Sequence, residues 1–191
     1  MTQNKKYVVA LAVAIAIYII MDSKKNLGKI TYSQISDKLA DYIAKWEGFV
    51  SKAQWDSAQW SVGHGEGWNW DKNRKVQAGD VVDRPTAKRW LIKSSEKFFN
   101  GVNNVVKVPV TENEMIAMVS LAYNIGVGAP GGKSGFRNSQ LLKDLNAGKP
   151  KSEVAKGFLP YNKAKDNKTG VVRVWDALNT RRKGEAAKFL S

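Results

Sequence analysis

The chain has no cysteine and a single histidine, His64. The first absence rules out a disulfide framework, a thiolate nucleophile and any cysteine-based metal site. The second rules out a His-rich metal site, and a Ser–His–Asp triad would have to use His64. There is no Gly-x-Ser-x-Gly elbow, no phosphate-binding P-loop and no dinucleotide fingerprint. Acidic residues are scarce beside basic ones, 17 against 31, which leaves a net charge of +14. Such a surface is drawn to polyanions, either nucleic acid or a bacterial envelope with its anionic lipids and wall polymers. The cations are spread along the chain rather than gathered in one arm, which argues against a dedicated nucleic-acid tail. With metal, thiol and triad chemistry set aside, hydrolysis would have to rest on paired carboxylates.

One apolar run is present. Tyr7 to Met21 contains no charged residue and is flanked by Lys5-Lys6 and by Asp22-Ser23-Lys24-Lys25. As a helix its 15 residues would span about 22 Å, short of a hydrocarbon core of about 30 Å. Eight Val, Leu or Ile residues would gain only about 2–5 kcal/mol on insertion. Three readings stand: a permanent or releasable signal anchor, a cleaved signal peptide, or a buried core helix. The run lacks a small-x-small site before Asp22, which disfavours cleavage. An anchor segment with its linker is therefore expected over residues 1–29, followed by one folded domain over 30–191.

That domain reads as α+β and mainly α. Ile35, Leu39, Tyr42, Ile43 and Trp46 recur at helical spacing behind Ser33, a candidate cap, and Gly48 signals the stop. From Ser51 to Gly79 the helical period vanishes. Trp55, Trp60, Trp68 and Trp70 alternate with Gly, Ser, Asn and Asp, which predicts short strands and turns. Helices are then predicted behind Asp83, behind the capping box Thr111–Glu114, behind Asn138 or Ser139, from Ser152 to Leu159, and from Asp176 to Leu190. Lys163 to Gly170 reads as a polar loop. Leu178, Ala186 and Phe189 mark the inward side of the last helix.

Glu47 and Asp56 are the carboxylate pair of interest. Glycoside hydrolysis needs one carboxyl that keeps its proton for the leaving oxygen and one that stays ionised to activate water or stabilise a cationic transition state. Glu47, between Trp46 and Phe49, suits the first task. Asp56, in the polar segment Asp56-Ser57-Ala58-Gln59, suits the second. Taken alone, a glutamate at a helix end is an ordinary surface residue.

The surrounding pattern says more. Trp46-Glu47-Gly48, Asp56 nine residues after the Glu, and Trp60-Ser61-Val62-Gly63-His64-Gly65 resemble the phage-type lysozymes of glycoside hydrolase family 24. The likeness continues through Ser120–Gly126, Phe136–Leu142, Leu145–Gly148, Phe158–Ala164 and Leu178–Glu185, so it covers roughly residues 36–190. The resemblance implies a lysozyme-like fold with a small β lobe and a larger helical lobe, here with an N-terminal apolar helix. It also implies an endolysin-type muramidase that inverts at the anomeric carbon and needs no cofactor or metal. Glu47 would be the general acid, Asp56 would position the attacking water, and Ser61 would stand where the family has a catalytic Thr. Tyr123 and Ser139 would contact sugar. His64 and Gly67 would form part of the same binding surface, His64 as a turn or wall residue rather than a base.

Three departures stand out. Four residues separate Asp56 from Ser61 where the family has five. Ser replaces Thr, and Glu66 occupies the usual His position. By the same resemblance, residues 7–21 would tether the enzyme to the host inner membrane before it acts in the periplasm. Peptidoglycan strands are the expected partner, nucleic acid is not, and a monomer is expected. A lytic transglycosylase and a non-catalytic basic binding module remain the alternatives.

Overall fold

The computed structural model describes residues 30–56, 58–166 and 169–191, and the apolar run at 7–21 lies outside them. Helix α1 (Tyr32–Glu47) buries Ile35, Leu39 and Ile43 of the stripe its spacing predicts, with Ala40 beside them, while Tyr42 and Trp46 are half-buried. Its cap is Thr31 rather than Ser33. Thr31 has extended backbone, and the Gln34 side chain accepts from its N–H at 2.7 Å, a reach that needs the three-residue offset of a capping box.

After Gly48 the chain enters a small β lobe. Strands β1 (Val50–Trp55) and β2 (Trp60–Gly63) pair antiparallel, with Trp55 opposite Trp60 and Gln54 opposite Ser61. The far edge of β1 is covered by residues 80–82, where Ala53 N–H donates to Asp80 C=O and Ser51 C=O accepts from Val82 N–H. A short hairpin follows, β3 (Trp68–Asn69) with β4 (Arg74–Lys75). Asp80 holds this hairpin. Its buried carboxylate takes both Arg74 nitrogens at 2.8 Å and the Gln77 N–H at 3.0 Å. The Arg74 guanidinium holds the Asp80 carboxyl well below the usual carboxylate range.

Helix α2 (Arg84–Asn103) starts at Asp83, whose side chain accepts from Thr86 N–H at 2.8 Å, with Pro85 in the first turn. It belongs to both lobes. Ala87 and Trp90 join Ala53, Val62, Val76 and Val82 in the β-lobe core, whereas Leu91, Phe99 and Val102 enter the helical core. Gly63 permits the first of these packings, because a Cβ there would lie 2.9 Å from the Cβ of Ala87.

Helix α3 (Glu112–Ile125) carries the expected Thr111–Glu114 capping box. Every residue from Glu114 to Ala122 is buried, so α3 is a central helix wrapped on all sides rather than an amphipathic one. Helix α4 (Gln140–Asn146) is capped by Ser139, and α5 (Lys151–Lys156) gives way to a 3₁₀ turn, Leu159–Tyr161, that contains Pro160. The expected polar loop at 163–170 is instead the start of a hairpin, β5 (Lys163–Lys165) with β6 (Val172–Val174). Strands of three residues are too short to print a period of two. Helix α6 (Asp176–Leu190) closes the chain against α3 and buries Phe189. It also buries Arg181, Arg182 and Glu185, which the apolar stripe did not predict. Among the described residues no helix is long and apolar enough to cross a membrane.

Candidate active site

Glu47 is the last residue of α1 and stands where α1 meets α6. Residue 184 is glycine, which leaves room for the Trp46 ring: a Cβ there would lie 2.6 Å from it. One turn earlier on α6, Arg181 faces Glu47 and its Nη1 donates to Glu47 Oε1 at 2.6 Å. The Arg181 side chain is 5% exposed and that of Glu47 is 23% exposed, so the pair is anchored in the interior and open at the carboxylate end. The acid is therefore seated on a buried cation, not enclosed by Trp46 and Phe49 as its neighbours in sequence suggested.

Arg181 is itself held from several sides. Its Nε donates to Glu185 Oε1 at 3.0 Å and its Nη2 to the Ser120 carbonyl at 3.2 Å. Glu185 also accepts from the Ser120 hydroxyl at 2.7 Å, and its second oxygen lies 3.2 Å from Arg182 Nε. Arg182 donates to the Asn124 side chain. Burial pulls the Arg182 guanidinium down to about 10 and pushes the Glu185 carboxyl up. The arginines and Glu185 were not recognised as site residues from sequence. The signal was present: Leu178, Arg182, Glu185 and Phe189 share helical spacing, and charges on an apolar stripe require buried partners.

His64 fastens the turn that follows the acid. Its Nδ1 bonds the Gly48 carbonyl and its ring lies 5.6 Å from that of Phe49. A carbonyl only accepts, so Nδ1 carries the hydrogen. His64 is 6% exposed, a buried fastener of the chain between Glu47 and the β lobe.

Asp56 follows β1 at the tip of the β1–β2 hairpin and is exposed. One of its oxygens accepts from Ala58 N–H at 3.3 Å and Gln59 N–H at 3.1 Å, and Asp56 N–H donates to Gln59 C=O. This tight turn accommodates the four-residue spacing between Asp56 and Ser61. Ser61 is buried on β2, paired with Gln54. Gly67 lies beneath the Gln59 side chain, where a Cβ would come within 2.7 Å of it.

Tyr123 of α3 packs on Phe98, and its hydroxyl lies 3.5 Å from Glu66 Oε1. Its pKa is pushed far up by burial, then by the Glu66 and Glu47 carboxylates, which places Tyr123 within electrostatic reach of the acid. Glu66 is buried and accepts from the Ser94 hydroxyl; burial pushes its carboxyl up. Ser139 is 2% exposed, and its hydroxyl accepts from Leu142 N–H at 3.1 Å.

A large helical lobe, a small β lobe and a half-buried acid at the end of α1 define a lysozyme-type glycoside hydrolase. Residues 44–185 match the family described as phage lysozyme. The chain is 34% identical over 158 residues to an endolysin of Acyrthosiphon pisum secondary endosymbiont phage 1, covering 82% of this chain and 98% of that one. It is 32% identical to an endolysin of Bacillus phage PZA, covering 83% of this chain but only 55% of that protein. The endolysin from Escherichia coli O157:H7 phage FAHEc1 superposes with a TM-score of 0.70 at 32% identity, over 81% of this chain and 91% of that one. The chain belongs to the phage lysozyme family and is a peptidoglycan hydrolase.

Proposed function

We propose that the enzyme cleaves the β-1,4 bond between N-acetylmuramic acid and N-acetylglucosamine, with Glu47 as general acid and inversion at the anomeric carbon. The observation that carries this reading is the seat of Glu47. Its Oε1 is fixed by Arg181 while the side chain stays partly open, so the other oxygen is the one that presents a proton to the leaving glycosidic oxygen. Once the proton has left, Arg181 stabilises the carboxylate through a charge-assisted hydrogen bond. Asp56, exposed at the hairpin tip, directs a water to the opposite face of the sugar, and Ser61 helps hold that water. Tyr123, Ser139, His64 and Gly67 shape the sugar-binding surface, the last two through the backbone they position.

Residues 7–21 tether the enzyme at the host inner membrane before it reaches the wall; the uncharged apolar run supports this part of the reading. Membrane and soluble fractions, each tested on sacculi, check it: equal partition of a chain truncated at residue 29 and of the full chain removes the tether.

Glu47→Gln tests the chemistry. It should lower the clearing of purified sacculi by a factor of about a thousand or more while the fold is retained. Retained activity sinks the assignment. The product distinguishes the second reading: a reducing end of inverted configuration supports hydrolysis, and a 1,6-anhydro end marks a transglycosylase.

A further inference from the structure

Four ionisable groups meet where α6 packs on α1 and α3: Glu47, Arg181, Arg182 and Glu185. Two are cationic and two anionic. Glu47 alone is partly open; Arg182 and Glu185 have side chains with no exposure at all and Arg181 has 5%. The second buried carboxylate, Glu185, contacts Arg181, Arg182 and Ser120 of α3 at once.

We infer that Glu185 is a positioning residue for the general acid. It fixes the Arg181 guanidinium in the orientation that meets Glu47. The geometry supports this. Glu185 Oε1 accepts from Arg181 Nε at 3.0 Å and from the Ser120 hydroxyl at 2.7 Å, so the carboxylate is locked to α3 as well as to α6. Arg181 Nη2 is locked to the same residue through the Ser120 carbonyl at 3.2 Å. With Nε and Nη2 held, the Nη1 that reaches Glu47 at 2.6 Å has little freedom.

The groups facing Glu185 are Arg181 and Arg182 on its own helix, Tyr42 from α1, and the uncharged Ser120 from α3. Burial, then Glu185, pushes the Tyr42 hydroxyl up to about 12.

This inference rests on Glu47 being the general acid. The test is Glu185→Gln, which keeps the shape and an acceptor oxygen but removes the charge. Initial rates are read on soluble glycan strands. With the Arg181 guanidinium no longer held by a charge-assisted hydrogen bond, kcat should fall about tenfold. KM should change little, which a general loosening of the fold would not leave intact.

Glu185→Asp keeps the charge but withdraws it by one methylene. It should lower kcat by a smaller factor than Glu185→Gln does. An unchanged kcat in a folded Glu185→Gln enzyme overturns the inference. If that variant does not fold, Glu185→Asp decides alone: a kcat equal to the parent's overturns it. Full activity in Glu47→Gln would refute the general-acid reading and this inference with it, whereas full kcat in Glu185→Gln beside an inactive Glu47→Gln overturns the inference alone.

Discussion

The two lobes hold their parts of the site by opposite means. The helical lobe surrounds α3 with apolar side chains and then places a charge cluster inside that shell, so Arg181 is fixed by Glu185 and Ser120 before it meets Glu47. The β lobe has a small core and is closed at its surface by polar clamps: Asp80 on Arg74 and Gln77, Asp56 on the hairpin tip. Glu47, the proposed acid, thus sits against the buried cluster, and Asp56, the proposed water-directing carboxylate, at an exposed hairpin tip. This division suits the chemistry. A proton donor has to meet one oxygen at hydrogen-bond distance, whereas a carboxylate that recruits water can work through a mobile intermediary.

Arg181→Met attacks the buried cluster. It strands Glu185 in the interior and frees Glu47, so stability should fall by about 3–5 kcal/mol, together with activity. Urea unfolding checks this, and a loss below about 1 kcal/mol would show that the cluster is not the brace described. Asp56→Asn should lower turnover on sacculi about a hundredfold, roughly 2.7 kcal/mol in barrier, with little change in melting temperature. An equal loss of stability would mean that the tip holds the lobe together.

Asp80→Asn tests the other clamp and should cost about 2 kcal/mol, through lost charge-assisted hydrogen bonds. Faster amide exchange should be confined to residues 50–82; if the helical lobe loosens equally, the two lobes are not separately held. Because the carboxyl of Asp80 is shifted down, its stabilisation is complete above the ordinary aspartate range and is lost as pH falls through the folded value. The variant should therefore lose stability less steeply than the parent below about pH 4.

Glu66→Gln is the mildest change. Burial shifts Glu66 upward, so its neutral form is the one the fold favours. Its contribution is complete below the unfolded value of about 4.3 and is lost as pH rises through the folded value. Thermal midpoints at pH 4 and pH 7 should differ by a few degrees less in the variant than in the parent. An unchanged difference would show that Glu66 titrates alike in the folded and unfolded chain.

Local rules wrote much of the fold. The α1 stripe, the Thr111–Glu114 box and the glycine-and-tryptophan region behind Asp56 all depend on spacing within a few residues, and each formed where its spacing predicted. The cap of α1 moved by two residues because two hydroxyl residues compete there and only Thr31 has Gln34 at the reciprocal distance. The β5–β6 hairpin was hidden because its strands have three residues each and carry lysines.

Glu47 and Asp56 were legible as a pair because they lie nine residues apart in a recognisable pattern. Ser139 was legible as a cap and Thr111 as half of a box, since both act on N–H groups three residues away. The partner of Glu47 was not, for it lies 134 residues further along. Spacing along a chain fixes what a helix or a turn can satisfy by itself. It does not state which buried cation will face which acid. That was decided when α6 packed on α1 across Gly184, bringing Arg181 to Glu47 and burying Glu185 behind it, because charges withdrawn from water persist only where the tertiary structure supplies opposite ones.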